Sequence, residues 1–110
     1  MEQRVRELFG LALRARKLAW GARAVKAGLN RGEIHFVWIA QDASPRLKED
    51  LLRFCREAGV KVAIGGSKKE LGEALGKEPC AVIGLKDIGF ANLVQQALKG
   101  VDGKLLKQRG

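Results

Sequence analysis

Residues 60–85 constrain the fold more than any other stretch of the chain. Val60, Val62 and Ile64 alternate with Lys61 and Ala63, the period of a strand with one buried face. Gly65-Gly66 breaks that strand. Ser67 is followed three residues on by Glu70, the spacing of a capping box, in which each side chain satisfies a backbone N–H left open at a helix start. Leu71, Ala74 and Leu75 then share one helical face, and Gly76 suits the stop. Glu78-Pro79 reads as a loop, and Cys80 to Leu85 as a short apolar run fit for a buried strand. Two strands around a short helix predict a βαβ unit with a parallel pair. The loop into the second strand, Lys77-Glu78-Pro79-Cys80, is then the expected place for a binding surface.

The rest of the chain extends this alternation. Val5, Leu8, Leu11, Ala12, Ala15 and Leu18 lie on one stripe and predict an amphipathic helix over 3–18, with Arg6, Arg14 and Lys17 off the stripe and Arg16 at its flank. Leu18-Ala19-Trp20 is a candidate short strand ended by Gly21. A second helix is expected over 22–31, with Ala24, Val25, Gly28 and Leu29 inward. His35 to Ala40 is aromatic and β-branched on both faces, which suits a strand inside a covered sheet. Ser44 and Pro45 mark the start of the next helix, with Leu47, Leu51, Phe54, Cys55 and Ala58 inward and Gly59 as its end. Asp87 is placed to cap a last helix with Phe90, Leu93, Val94, Ala97 and Leu98 on its apolar face and Gly100 as its stop. The pattern predicts an α/β fold: a three-layer α/β/α sandwich around a mixed, mainly parallel four-stranded sheet. Residues 1–100 are expected to form one domain, and 101–110 a basic, mobile tail.

Charge is distributed unevenly. The net charge of the 110 residues is +9. Residues 1–32 hold eight Lys/Arg against two acids, residues 33–98 hold nine of each, and residues 99–110 hold four against one. The whole excess therefore lies at the two ends of the chain. That concentration points to a polyanion-facing surface, with a merely solvated basic helix as the plain alternative. Arg23 and Lys26 sit where cations oppose the macrodipole of the second helix, and a phosphate near that helix start would offset the cost.

Little in the chain suggests catalysis. His35 is the only histidine and has no sequence-local acid, nucleophile or metal-ligand partner. Cys55 and Cys80 sit within apolar runs, as small core residues of a reducing compartment do. Asp42 follows a strand, where catalytic acids are often found, but it is also suited to hold its own turn through backbone N–H groups. No catalytic residue, metal or cofactor is expected. No apolar run approaches the ~20 residues of a membrane span. Residues 1–20 carry charges throughout, unlike a secretory signal, so a cytoplasmic location is expected.

Ser67-Lys68-x-x-Leu71-Gly72-x-Ala74-x-Gly76, followed by Glu78-Pro79-Cys80-Ala81, resembles the signature of the L7Ae family of ribosomal proteins and kink-turn RNA binders. Ala40-x-Asp42-x-x-Pro45 resembles that family's strand-end motif. Leu11-Ala12-x-Arg14-Ala15-Arg16-Lys17-Leu18-x-x-Gly21 and Asp87-x-Gly89-Phe90-Ala91 are similar to a bacterial subgroup, the YlxQ-like proteins. The resemblance spans about residues 8–98. It implies a non-enzymatic protein that binds structured RNA, ribosomal or kink-turn-like, with the ribosome as a further candidate partner. Carried over by position, it implies contacts from Gly21, Arg23, Ala24, Lys26, Ala27 and Arg31, and from Lys77, Glu78, Pro79 and Cys80. Arg14, Arg16 and Lys17 are expected to join them on phosphates. Family members that read sheared G·A pairs carry Asn, Glu and Lys where this chain has Arg23, Ala24 and Ala27, and Lys26 is one residue out of register. The chain thus keeps cations that position RNA and lacks the groups that read base edges.

Two other classes compete. Gly65-Gly66-Ser67-Lys68 at a helix start suggests a phosphate cradle of a nucleotide-dependent enzyme, but the P-loop order of Lys before Ser/Thr is missing. The balanced charge of 33–98 also permits a ribosome- or transcription-associated protein-interaction module without specific kink-turn binding.

Overall fold

A computed structural model describes residues 1–98 and 104–106. In chain order the elements are α1 (Gln3–Arg14), β1 (Leu18–Trp20), α2 (Ala22–Asn30), β2 (Phe36–Ile39), α3 (Pro45–Ala58), β3 (Lys61–Ile64), α4 (Lys68–Leu75), β4 (Val82–Leu85), α5 (Ile88–Ala97) and β5 (Lys104–Leu106). The strands form one sheet in the order β1-β4-β2-β3-β5.

Helices cover both faces, as the doubly apolar strands require. Every residue of β2 and of β4 is buried. On one face α1, α4 and α5 enclose a core that includes Val5, Phe9, Trp38, Leu71, Ile83 and Val94. On the other, α2 and α3 pack Val25, Leu29, Leu51 and Cys55 against Val37, Ile39 and Val62. Phe9 meets Trp38 edge to face at 5.4 Å, and the Trp38 indole N–H donates to the Gly65 carbonyl at 2.9 Å. The large aromatic is thereby buried without an orphaned polar atom.

The helix punctuation follows the sequence. Ser44 caps α3 with Pro45 beside it, Ser67 and Glu70 form the capping box of α4, and Asp87 caps α5. Gly59 and Gly76 end α3 and α4 in the left-handed conformation. The first helix is shorter than its pattern suggests. Its core stripe is Val5, Leu8, Phe9 and Ala12, while Leu11 is 48% exposed.

The sheet is mixed, but it is not mainly parallel. Among the described strands only β2 and β3 run parallel; β1–β4, β2–β4 and β3–β5 are antiparallel. The βαβ unit expected over 60–85 does not form, because β2 lies between β3 and β4. The cause is the loop after α4. A parallel crossover needs its helix to carry the chain back to the start of the first strand. Here residues 77–80 retrace α4: the Lys77 N–H donates to the Gly72 carbonyl at 2.8 Å and the Cys80 N–H to the Lys68 carbonyl at 3.0 Å. The chain therefore enters β4 at the end of the sheet where β3 left it. Beyond α5, Lys104–Leu106 of the segment expected as a tail pair with β3 as a fifth strand. The remainder of 99–110, including the expected stop at Gly100, lies outside the described residues.

Candidate nucleic-acid interface

The two loops singled out in the sequence meet at one end of the sheet. Gly21 leaves β1 with φ 88 and ψ 152, a backbone state that favours glycine, and serves as the N-cap of α2 without a side-chain cap. The opening N–H groups of α2 are thus unmasked by any side chain, and its first turn holds no acid. Arg23 and Ala24 stand exposed on that turn. The Gly21 N–H donates to the Val82 carbonyl at 3.0 Å, which ties this loop to the start of β4 and so to the loop Lys77–Cys80.

That second loop is held from below by α4. A Cβ on Gly72 would lie 2.4 Å from the Glu78 carbonyl oxygen, so the close approach of the loop depends on the missing side chain. The capping box fixes α4, and the Asp42 carboxylate accepts the Lys68 N–H at 2.8 Å. Asp42 thus holds a helix start 26 residues away rather than its own turn. Lys77, Glu78 and Pro79 are exposed. Cys80 is buried, and its thiol donates to the Val82 carbonyl at 3.1 Å, so it shapes the loop from within.

Trp20 completes this end, and the sequence reading missed it. It is 41% exposed at the top of β1, and the Lys77 ammonium lies 4.5 Å from the centre of its ring. Trp20, Gly76, Lys77, Glu78 and Pro79 line one open depression. An aromatic face beside a cation and bare helix N–H groups can stack a base and hold a phosphate. The available signal was positional: a tryptophan at the end of a three-residue strand, next to a turn glycine, has too few neighbours to be covered.

The other expected contacts are not gathered here. Lys26 faces α3, with its ammonium 2.9 Å from the Asp50 carboxylate and 5.3 Å above the Phe54 ring. The hydrogen bond and charge of Lys26 hold the Asp50 carboxyl below its usual range, with help from Arg53 and Arg46. Arg31 follows the far end of α2. Arg14, Arg16 and Lys17 precede β1, whereas Gly21 follows it, so the strand separates them by about 13 Å at ~3.3 Å per residue. The expected single cluster is therefore two groups at opposite ends of the sheet.

Among the described residues, no group of three His, Cys, Asp or Glu is placed to hold a metal ion. His35 is exposed at the start of β2. Burial pushes the Cys55 thiol up to about 12, which keeps it unreactive near neutrality. No helix among the described residues is long and apolar enough to cross a membrane.

Known proteins share both the pattern and the fold. Residues 3–95 match the model of the ribosomal protein L7Ae/L30e/S12e/Gadd45 family. The RNA-binding protein YlxQ of Bacillus subtilis (strain 168) is 33% identical over 85 residues, which cover 77% of this chain and 85% of the relative. The RNA-binding protein YlxQ of Enterococcus faecium is 31% identical over 98 residues, covering 89% of this chain and 94% of the relative. Among solved structures, a Bacillus halodurans protein of unknown function superimposes with a TM-score of 0.85 and 34% identity, over 89% of this chain and 99% of that one. The 15.5 kD RNA binding protein of Giardia lamblia gives a TM-score of 0.76 at 25% identity, over 92% and 90%. With a match over nearly its whole described length, the chain belongs to the ribosomal protein L7Ae/L30e/S12e/Gadd45 family.

Proposed function

We propose that this chain is a non-enzymatic, cytoplasmic RNA-binding protein that engages structured RNA, ribosomal or kink-turn-like, at the Gly21 end of the sheet. One observation carries the reading: the hydrogen bond from Gly21 to Val82 sets the bare start of α2 beside the loop Lys77–Pro79, with Trp20 exposed between them. In this arrangement Arg23 and the α2 N–H groups hold phosphate, Trp20 stacks on an unpaired base, and Lys77 reaches the adjoining backbone. Glu78 and Pro79 form the wall against which that nucleotide packs, and Cys80 fixes the wall's position. The relatives named as RNA-binding proteins support the partner class.

Arg23 and Ala24 have no carboxamide or carboxylate to offer a base edge, so binding through them rests on shape and charge. The test is a titration against a kink-turn RNA and against the same RNA with its G·A pairs replaced, each at two salt concentrations. Binding to both, steeply weakened by salt, is the expected result. Binding to neither would overturn the reading and leave a protein-interaction module in its place.

A further inference from the structure

The cations that the fold carries away from Gly21 have a site of their own. We propose that Arg16, Lys17 and Lys86, flanked by Arg14, form a second RNA-backbone surface at the opposite end of the sheet, so that one copy of the chain holds two RNA segments at once. The proposal rests on the RNA-binding reading above and adds to it a second site and a bridging role.

Three observations lead there. Leu18 pairs with Leu85, and the Lys86 N–H donates to the Lys17 carbonyl at 2.8 Å, so the two lysines stand opposite each other where β1 and β4 begin and end. Like charges directly opposite in an antiparallel pair are unfavourable unless something anionic lies over them. Among the described residues no local acid relieves them. Among the described residues the ion pairs are made by Met1, Arg6, Lys26 and Arg53, and none by Arg14, Arg16, Lys17 or Lys86, all of which are exposed. Asp87 adjoins Lys86, but its carboxylate accepts the Phe90 N–H at 3.0 Å as the cap of α5. Glu33, also at this end, is exposed and makes no ion pair among the described residues.

The backbone of Arg16 is the third observation. Its φ is 60, and it is the one residue other than glycine with a positive φ among the described residues; Gly21, Gly32, Gly59, Gly66 and Gly76 take the others. Its N–H donates to the Leu13 carbonyl and that of Lys17 to the Ala12 carbonyl, the pairing of a helix end that glycine ordinarily fills. An arginine here holds a guanidinium at a conformational cost. Arg14, in the last turn of α1, also favours the helix dipole and so needs no ligand to explain it. No aromatic stands among these residues to stack on an unpaired base, and their exposed positive charge suits phosphates.

The experiment is a two-RNA capture. Beads carry a biotinylated kink-turn RNA, the chain is bound to them, and retention of a separate fluorescent RNA duplex is measured. The wild-type chain is expected to capture the duplex. The triple variant Arg16→Gly, Lys17→Gln, Lys86→Gln should stay on the beads, melt no lower than wild type, and capture at least about tenfold less duplex, having lost three phosphate contacts. Arg16→Gly alone, which suits its turn, should show part of that loss in a chain that is folded beyond question. Equal capture by wild type and triple variant would overturn the proposal, as would a wild-type chain that stays on the beads and captures nothing. A wild-type chain that does not bind the beads would instead bring down the RNA-binding reading, and this proposal with it.

Discussion

At the Gly21 end of the sheet the surface is shaped by side chains that are missing; at the Lys17 end it is shaped by charges that are present. Gly21 bares the start of α2, and Gly72 lets the Glu78 carbonyl settle onto α4. The result is a depression with one exposed aromatic and a cation over its face. Across the sheet, Lys17 faces Lys86 and Arg16 occupies a glycine's conformation. The first arrangement can discriminate shape; the second can only attract. A protein with both can select an RNA feature at one end and hold its surroundings at the other.

The largest effect that separates the two ends is expected from Gly72→Val. The new Cβ would collide with backbone oxygen atoms of Lys77 and Glu78, which have no flexible end to swing away. Overpacking of this kind costs about 1–3 kcal/mol. Denaturant unfolding should show that loss, and RNA retention at the Gly21 end should fall with the displaced loop. Direct binding of the RNA duplex at the Lys17 end by the folded fraction should persist. A variant as stable as wild type would show that the loop is not seated on α4.

Trp20→Ala comes next. Base stacking on an aromatic contributes about 1–3 kcal/mol per base. Trp20 is too exposed to be a main support of the core, so its loss should appear in RNA affinity far more than in melting temperature. An unchanged affinity would reduce the Gly21 end to a phosphate contact by Arg23 and the helix start.

Arg16→Gly should act with the opposite sign on stability. An L-residue in the left-handed region gives up about 1 kcal/mol that glycine does not. Equilibrium unfolding should therefore show a stabilised chain that bridges RNA less well. A destabilised variant would mean that the guanidinium has a structural partner, and would weaken the contrast between the ends.

How much of this was legible in the sequence depends on distance along the chain. The caps at Ser44, Ser67 and Asp87 were legible because a cap is a local bargain between residues three apart. The interior of β2 was legible because both of its faces are apolar. The course of the sheet was not, since it turns on the loop 77–80 retracing α4, and that depends on a missing Cβ at Gly72 rather than on any pattern. The same limit applied to the site. Gly21, Arg23 and the Lys77 loop of the proposed site come from the family resemblance, and the structure sets them at one end of the sheet, whereas the cations Arg14, Arg16 and Lys17 are near Gly21 in sequence and across the sheet from it in space. A strand of three residues is enough to reverse that proximity. Leu11 shows the problem in small: it fits a helical stripe, but Phe9 takes the core position.

The smallest expected effect concerns Lys26, which lies on neither end. Lys26→Gln removes the hydrogen bond and charge that depress the Asp50 carboxyl, so the Asp50 titration followed by NMR should move up toward the ordinary carboxylate range. The sign for stability follows. A carboxyl with a depressed folded-state pKa contributes stability that is present above its unfolded value and is lost as pH falls through the folded one. The wild-type chain should accordingly lose a small increment in acid that the variant lacks at neutral pH. Because the pair is only partly buried, salt should shrink that increment further. RNA affinity should be unchanged, since the ammonium is already committed to Asp50 and Phe54 on α3. If instead the salt dependence of binding flattens by the ~0.7–0.9 expected for one phosphate, Lys26 must leave Asp50 when RNA arrives. The interface would then extend along the body of α2, toward the Arg31 end, and the separation between the two ends would narrow.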